Sequence, residues 1–186
     1  MMRDPSTSLP AIRSRRLPVV LALPLGVALM TLAAKVQVPF WPVPMTLHTM
    51  AVMGFAAFLG PRRAATIFLA YLAAGAAGLP VFSGTPERGI GLAYMVGPTG
   101  GYLAGYLVAC ALVGHLAAGR GALGRFAAML AGLVPVYALG AAWLTLFVPA
   151  SEVFATGVAP FVPGDVVKIA ILTAVFAALA RRTAAR

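Results

Sequence analysis

Charge is what this chain of 186 residues has least of: only 10% of its residues are charged, and just four are acidic. Soluble domains carry about 25% charged residues, so a fold that meets water on all sides is excluded. The lack of acids also argues against an ion-gradient carrier, which needs carboxylates buried in mid-helix as a proton relay. Cysteine occurs once, as Cys110 inside an apolar run, which removes disulfide frameworks and thiolate metal sites. Two histidines, His48 and His115, stand far apart and without carboxylate companions, so no metal centre is expected. There is no GxxxxGK followed by Ser or Thr, hence no phosphate loop. No nucleophile with a base beside it can be assembled, so the chain does not read as an enzyme.

What is present is apolar: 61% of the residues are hydrophobic, against a net charge of +10. In a soluble protein that charge would suggest phosphate neutralisation on a nucleic acid. Here the basic residues occupy short breaks between apolar runs and form no face with interleaved aromatics, which points to membrane topology instead. A spanning helix needs about 20 apolar residues, and Pro, Gly and charge divide the chain into six segments at 17 to 36, 44 to 60, 64 to 80, 97 to 118, 126 to 148 and 163 to 180. The expected fold class is thus an all-α membrane protein, a bundle of six transmembrane helices. Arg13, Arg15 and Arg16 before the first run resemble a signal-peptide n-region, but the run from Leu17 to Ala34 is long for an h-region and has no clear cleavage site. Residues 1 to 16 are expected to form a polar leader, 17 to 182 the bundle, and 183 to 186 a tail.

Cytoplasmic loops keep the positive excess. With the N-terminus inside, that side holds Arg3, Arg13, Arg15, Arg16, Arg62, Arg63, Arg120, Arg125, Arg181, Arg182 and Arg186, eleven of the fourteen basic residues. Both termini are then cytoplasmic. The far side keeps Lys35, Arg88 and Lys168 with Glu87, Glu152 and Asp165. Its connections, 36 to 44, 81 to 95 and 149 to 164, are longer than the arginine-bearing turns, and loops of that kind carry function.

Three far-side elements draw attention. In PGDVVK (163 to 168) two opposite charges open an apolar helix. Asp165 and Lys168, three apart, share a face about 5 to 6 Å apart, either as a salt bridge fixing the helix end or as a polar site for a ligand with donor and acceptor groups. In GPTGGY (97 to 102), Gly100, Gly101 and Tyr102 either line a pocket or serve packing, since Gly101, Gly105 and Ala109 form a small-xxx-small stripe. In PVPMTLH (42 to 48), Thr46 offers a hydroxyl, while His48 reads as a helix-end residue. Arg88 stands alone among glycines, either solvated or paired with a ligand carboxylate.

PVPMTLH (42 to 48), GLPVF (78 to 82), GPTGGYLAGY (97 to 106), YALGAAWL (137 to 144) and PGDVVK (163 to 168) resemble, in this order, the BioY family, the substrate-binding S components of energy-coupling-factor (ECF) biotin transporters. GPTGGY and PGDxxK together make the resemblance specific. It implies a protein of the bacterial cytoplasmic (inner) membrane that captures biotin, embedded in lipid. Its partners would be a transmembrane coupling protein and cytoplasmic ATPase subunits, which alone use ATP; no cofactor is implied. Oligomeric state is left open, a homo-oligomer included. Asp165 and Lys168 are the implied partners of biotin's ureido ring, Arg88 of its carboxylate, and Thr46, Gly100, Gly101 and Tyr102 the lining of the bicycle. Family members commonly have glutamine where this chain has His48. Small residues on the first helix, Ala22 and Gly26, are the implied contact with the coupling protein. The alternative is a self-sufficient secondary carrier for biotin or another small vitamin.

Overall fold

The computed structural model describes residues 19 to 38 and 41 to 184. The proposed leader, 1 to 16, lies outside them. Eight helices occur among the described residues, α1 (Val19–Lys35), α2 (His48–Leu59), α3 (Pro61–Ala76), α4 (Leu92–Met95), α5 (Gly100–Leu116), α6 (Ala122–Leu144), α7 (Ala150–Gly157) and α8 (Val162–Ala184), with a two-residue strand pair, β1 (Gln37–Val38) and β2 (Met45–Thr46). Six are twelve residues or longer, and these match the six apolar segments with shifted ends. The two short helices, α4 and α7, lie in connections that hydropathy leaves as loops. The last helix continues through Ala184, so the first residues of the expected tail are helical.

Proline and glycine explain the shifted boundaries. The second apolar segment does not turn helical at Pro44: β2 pairs antiparallel with β1, Gln37 opposite Thr46, and α2 starts only at His48, whose N–H is accepted by Thr46 Oγ1 at 3.1 Å. Gly60 alone separates α2 from α3. Its φ of +80° is open to glycine at little cost, and Pro61 follows at the first helical position, where a missing N–H loses nothing.

The closest pairing is α5 against α6, and glycine makes it possible. A Cβ on Gly105 would stand 2.6 Å from the Val136 Cα and 2.7 Å from the Pro135 carbonyl oxygen, and one on Gly101 would collide with the Leu139 carbonyl and the Trp143 side chain. Absent side chains let the two backbones meet, as small-residue stripes do between helices in lipid. The Gly101, Gly105, Ala109 stripe does lie in packed surroundings, all three residues being buried.

The core is apolar, as in a soluble protein, but much of the helix surface is apolar as well, and a few polar side chains are buried. Leu21, Leu25, Leu29 and Leu32 of α1, Val134 and Leu139 of α6, and Val167, Ile171, Val175 and Leu179 of α8 are exposed, whereas His48, Thr49, Ser83, Thr85 and Asp165 are buried. By length and composition two stretches can cross a bilayer, α6 and the region Ala150–Leu179; Leu21–Lys35, His48–Leu59 and Gly100–Leu116 are apolar but shorter.

Candidate functional site

The site is built where the three long connections meet the helix ends. Residues from all of them line one cavity, Val43, Pro44 and Thr46 from the first, Ser83, Tyr94 and Thr99 from the second and Phe161 from the third, together with His48, Thr49, Tyr102, Leu103, Tyr106, Val136, Tyr137, Asp165 and Lys168 from the helices.

Its polar centre is Asp165, in the first turn of α8 and 4% exposed. Position on the helix favours a carboxylate there, because the free N–H groups leave a partial positive charge. Lys168 lies one turn on and donates to Asp165 Oδ1 at 2.8 Å. It also donates to the Thr46 carbonyl at 2.6 Å, so the strand pair holds an acceptor over the ammonium. The second carboxylate oxygen accepts from Tyr137 at 2.7 Å and from Thr49 at 3.2 Å. Thr49 is in turn bonded to the Tyr106 hydroxyl at 2.7 Å. Four elements, α2, α5, α6 and α8, thereby converge on one carboxylate. An ion pair so deeply placed requires this degree of satisfaction, since each buried charge costs several kcal/mol unless paired and hydrogen-bonded.

Tyr102 enters from α5 through a notch. A Cβ on Gly140 would stand 2.7 Å from its Cγ and one on Gly157 2.6 Å from its hydroxyl oxygen; the hydroxyl donates to the Gly157 carbonyl at 2.7 Å. The ring is held against α6 and α7, and Tyr102 lines the cavity. Around the outer end the connections are cross-tied. Lys35 donates to the Thr85 carbonyl at 3.0 Å and to its hydroxyl at 2.8 Å, and Ser83 donates to Gln37. Arg88 donates to the Pro42 carbonyl at 2.9 Å and lies 5.7 Å from the Trp41 ring centroid. Burial, chiefly, raises the pKa of Tyr94 in the outer connection, so its phenol keeps its proton.

Of the residues singled out by sequence, Asp165, Lys168, Thr46 and Tyr102 are brought together on the cavity wall. Gly100, Gly101 and Arg88 do not line it: the two glycines face Met95, Leu139 and Trp143, and Arg88 spans from the second connection to the first. Gly26 is buried against Ile67 of α3, 2.8 Å from where a Cβ would be, and Ala22 is half-buried on the same helix. Sequence reasoning missed Thr49, Tyr106 and Tyr137. A hydroxyl recurring in otherwise apolar helices was the available signal, and both tyrosines stand in segments that carry the family resemblance. A second cleft lies at the other end, where Arg120 and Arg125 meet Phe58 and Phe176.

A helical bundle with an exposed apolar girdle and, at one end, a cavity built around a buried carboxylate and its ammonium partner fits the class of small-molecule-binding membrane components. The BioY family profile matches residues 6–185, and the chain belongs to the BioY family. It is 38% identical over 146 residues to a probable biotin transporter BioY of Pyrococcus horikoshii, covering 78% of this chain and 86% of that protein. It is 34% identical to the biotin transporter BioY of Thermotoga maritima over 77% and 85% of the two chains. With the biotin transporter BioY of Rhodobacter capsulatus the identity is 39% over 69% and 74%. Among solved structures, the S-component for biotin from an ECF-type ABC transporter superposes with a TM-score of 0.75 at 25% identity, over 87% of this chain and 90% of that one.

Proposed function

We propose that the chain captures biotin in the cavity around Asp165 and carries it across the cytoplasmic (inner) membrane as the substrate-specific component of an ECF-type transporter. The observation that carries the reading is the ion pair of buried Asp165 with half-buried Lys168, 2.8 Å apart on one wall of the cavity. A cyclic urea presents N–H donors and a carbonyl side by side, and a carboxylate beside an ammonium is their complement. The apolar bicycle then lies among Tyr102, Leu103, Val136 and Phe161. Arg88, bonded to the Pro42 carbonyl next to the lining residues Val43 and Pro44, takes the valerate carboxylate. Thr46 serves through its carbonyl, which fixes Lys168, and Gly100 and Gly101 serve by letting α5 approach α6. Biotin transporters among the relatives and a biotin S-component among solved structures support the assignment.

In this reading the six longer helices cross the bilayer and both termini are cytoplasmic, with Arg62, Arg63, Arg120 and Arg125 marking the inner face. Energy comes from ATPase subunits through a transmembrane coupling protein that docks on α1. The decisive measurement is equilibrium binding of biotin to purified protein, repeated with Asp165→Asn and Lys168→Ala. Each variant removes a charged partner of the ureido group, and a hydrogen bond to a charged group is worth about 1.5–3 kcal/mol, so both are expected to lose binding by about ten- to a hundredfold. Unchanged affinity in both refutes the site, and no binding by wild type refutes the function.

A further inference from the structure

Among the described residues only two buried side-chain nitrogen or oxygen atoms lack a hydrogen-bond partner, and one of them, Nε2 of His48, belongs to a residue on the wall of this cavity. The other, Nε of Arg125, lies in the cleft at the opposite end. His48 is 5% exposed, and aromatic rings hold it in place: Tyr106 stacks on it at 5.1 Å, Tyr71 meets it edge-on at 5.0 Å and Phe68 lies at 5.8 Å. The hydroxyls that share the cavity already have partners, Thr49 with Tyr106 and Asp165, Tyr137 with Asp165, Tyr102 with Gly157 and Ser83 with Gln37. Leaving a buried polar atom unsatisfied is costly enough that native structures rarely do so without a use for it.

The ligand chemistry supplies that use, on the reading that the cavity takes biotin. The ureido ring has two N–H donors and one carbonyl. Asp165 already accepts three hydrogen bonds from the protein, and a carboxylate has about four acceptor directions, so it has room for one N–H. Lys168 uses two of its three donors within the protein, leaving one for the carbonyl. The second N–H needs an acceptor of its own; the cavity hydroxyls are already engaged as donors, and His48 Nε2 is the buried acceptor atom on this wall that has no bond at all. His48 opens α2 beside Thr49, the residue that reaches Asp165, and with its proton on Nδ1 the ring offers Nε2 as an acceptor. We propose that His48 Nε2 accepts the second ureido N–H and so makes the site selective for an unsubstituted cyclic urea.

The test uses purified full-length protein and three ligands, biotin and its two mono-N-methyl ureido derivatives, with wild type, His48→Phe and His48→Gln. Phenylalanine keeps a ring against Tyr106 and removes the nitrogen; glutamine restores an acceptor. Biotin affinity is expected to fall about tenfold in His48→Phe and to recover to within about threefold of wild type in His48→Gln. One methyl derivative should bind wild type poorly and lose nothing further in His48→Phe, because the bond it cannot make is already gone. Should His48→Phe not fold, His48→Met takes its place in the same comparison. Wild-type affinity in the nitrogen-free variant, or an equal penalty for both derivatives in every variant, overturns the role of His48. Failure of folded wild type to bind biotin overturns the underlying function instead.

Discussion

Asp165 is the residue on which the interior depends, because three side chains from three other positions are aimed at it. Tyr137 reaches it from α6 at 2.7 Å and Thr49 from α2 at 3.2 Å. Their work is positioning, so Tyr137→Phe is expected to keep the fold and to weaken biotin about three- to tenfold, the net worth of one such hydrogen bond. Calorimetric titration of the variant checks this, and adding Thr49→Val should deepen the loss. Arg88 permits a sharper comparison. If its guanidinium holds the ligand carboxylate, Arg88→Ala reduces affinity for biotin by about tenfold or more and leaves binding of biotin methyl ester unchanged; an equal loss for both ligands would assign Arg88 to the Pro42 and Trp41 contacts alone. Asp165 and Lys168 were legible in the sequence because charge in an apolar run is conspicuous. Their partners were not. Thr49 and Asp165 are separated by 116 positions, and a tyrosine in an apolar helix looks the same whether it faces lipid, packs, or donates to a carboxylate.

Elements were legible as apolar runs and illegible at their ends. A hydropathy window reports burial in lipid, whereas helix limits are set by backbone chemistry such as the strand pair before His48 or the Gly60–Pro61 joint. Helices of four and eight residues, α4 and α7, are too short to display a 3.6-residue period, so the connections in which they lie read as loops. The α5–α6 contact offers the clearest test at this scale. Gly105 lies against backbone atoms of α6 that have nowhere to move, so Gly105→Leu forces the helices apart. Overpacking typically costs about 1–3 kcal/mol and occasionally more, read as a lowered unfolding temperature in detergent, and biotin binding should fall with it because Tyr102 and Val136 flank the seam. Gly26 behaves similarly on α1: any side chain there meets Ile67. A bulky residue at position 26 therefore tests the α1–α3 packing first, and coupling-protein docking on α1 is better tested at exposed Leu25 or Leu29.

At the scale of the whole molecule, the arrangement makes physical sense only with a solvent that rewards exposed leucine and penalises exposed charge. Leucines and valines from α1, α6 and α8 face outward while the one described salt bridge is inside, and in lipid a charged side chain facing out would cost about 3 kcal/mol or more. On the proposed topology, the sorting of the remaining charges between the two ends predicts the orientation. Glu87 and Glu152 are exposed in the connections around the cavity, and Arg63 and Arg120 are exposed at the turns of the opposite end. Cys110 is fully buried, so replacing it by alanine removes the native thiol at small cost and leaves a clean background. Single cysteines at 87 and 152 should then react in intact cells with a membrane-impermeant maleimide, and cysteines at 63 and 120 only after permeabilisation. The opposite pattern would place the cavity on the cytoplasmic side, where it could not gather substrate from outside. Labelling of all four positions in intact cells would mean that the chain does not hold a single orientation, and that eleven arginines are insufficient to anchor it.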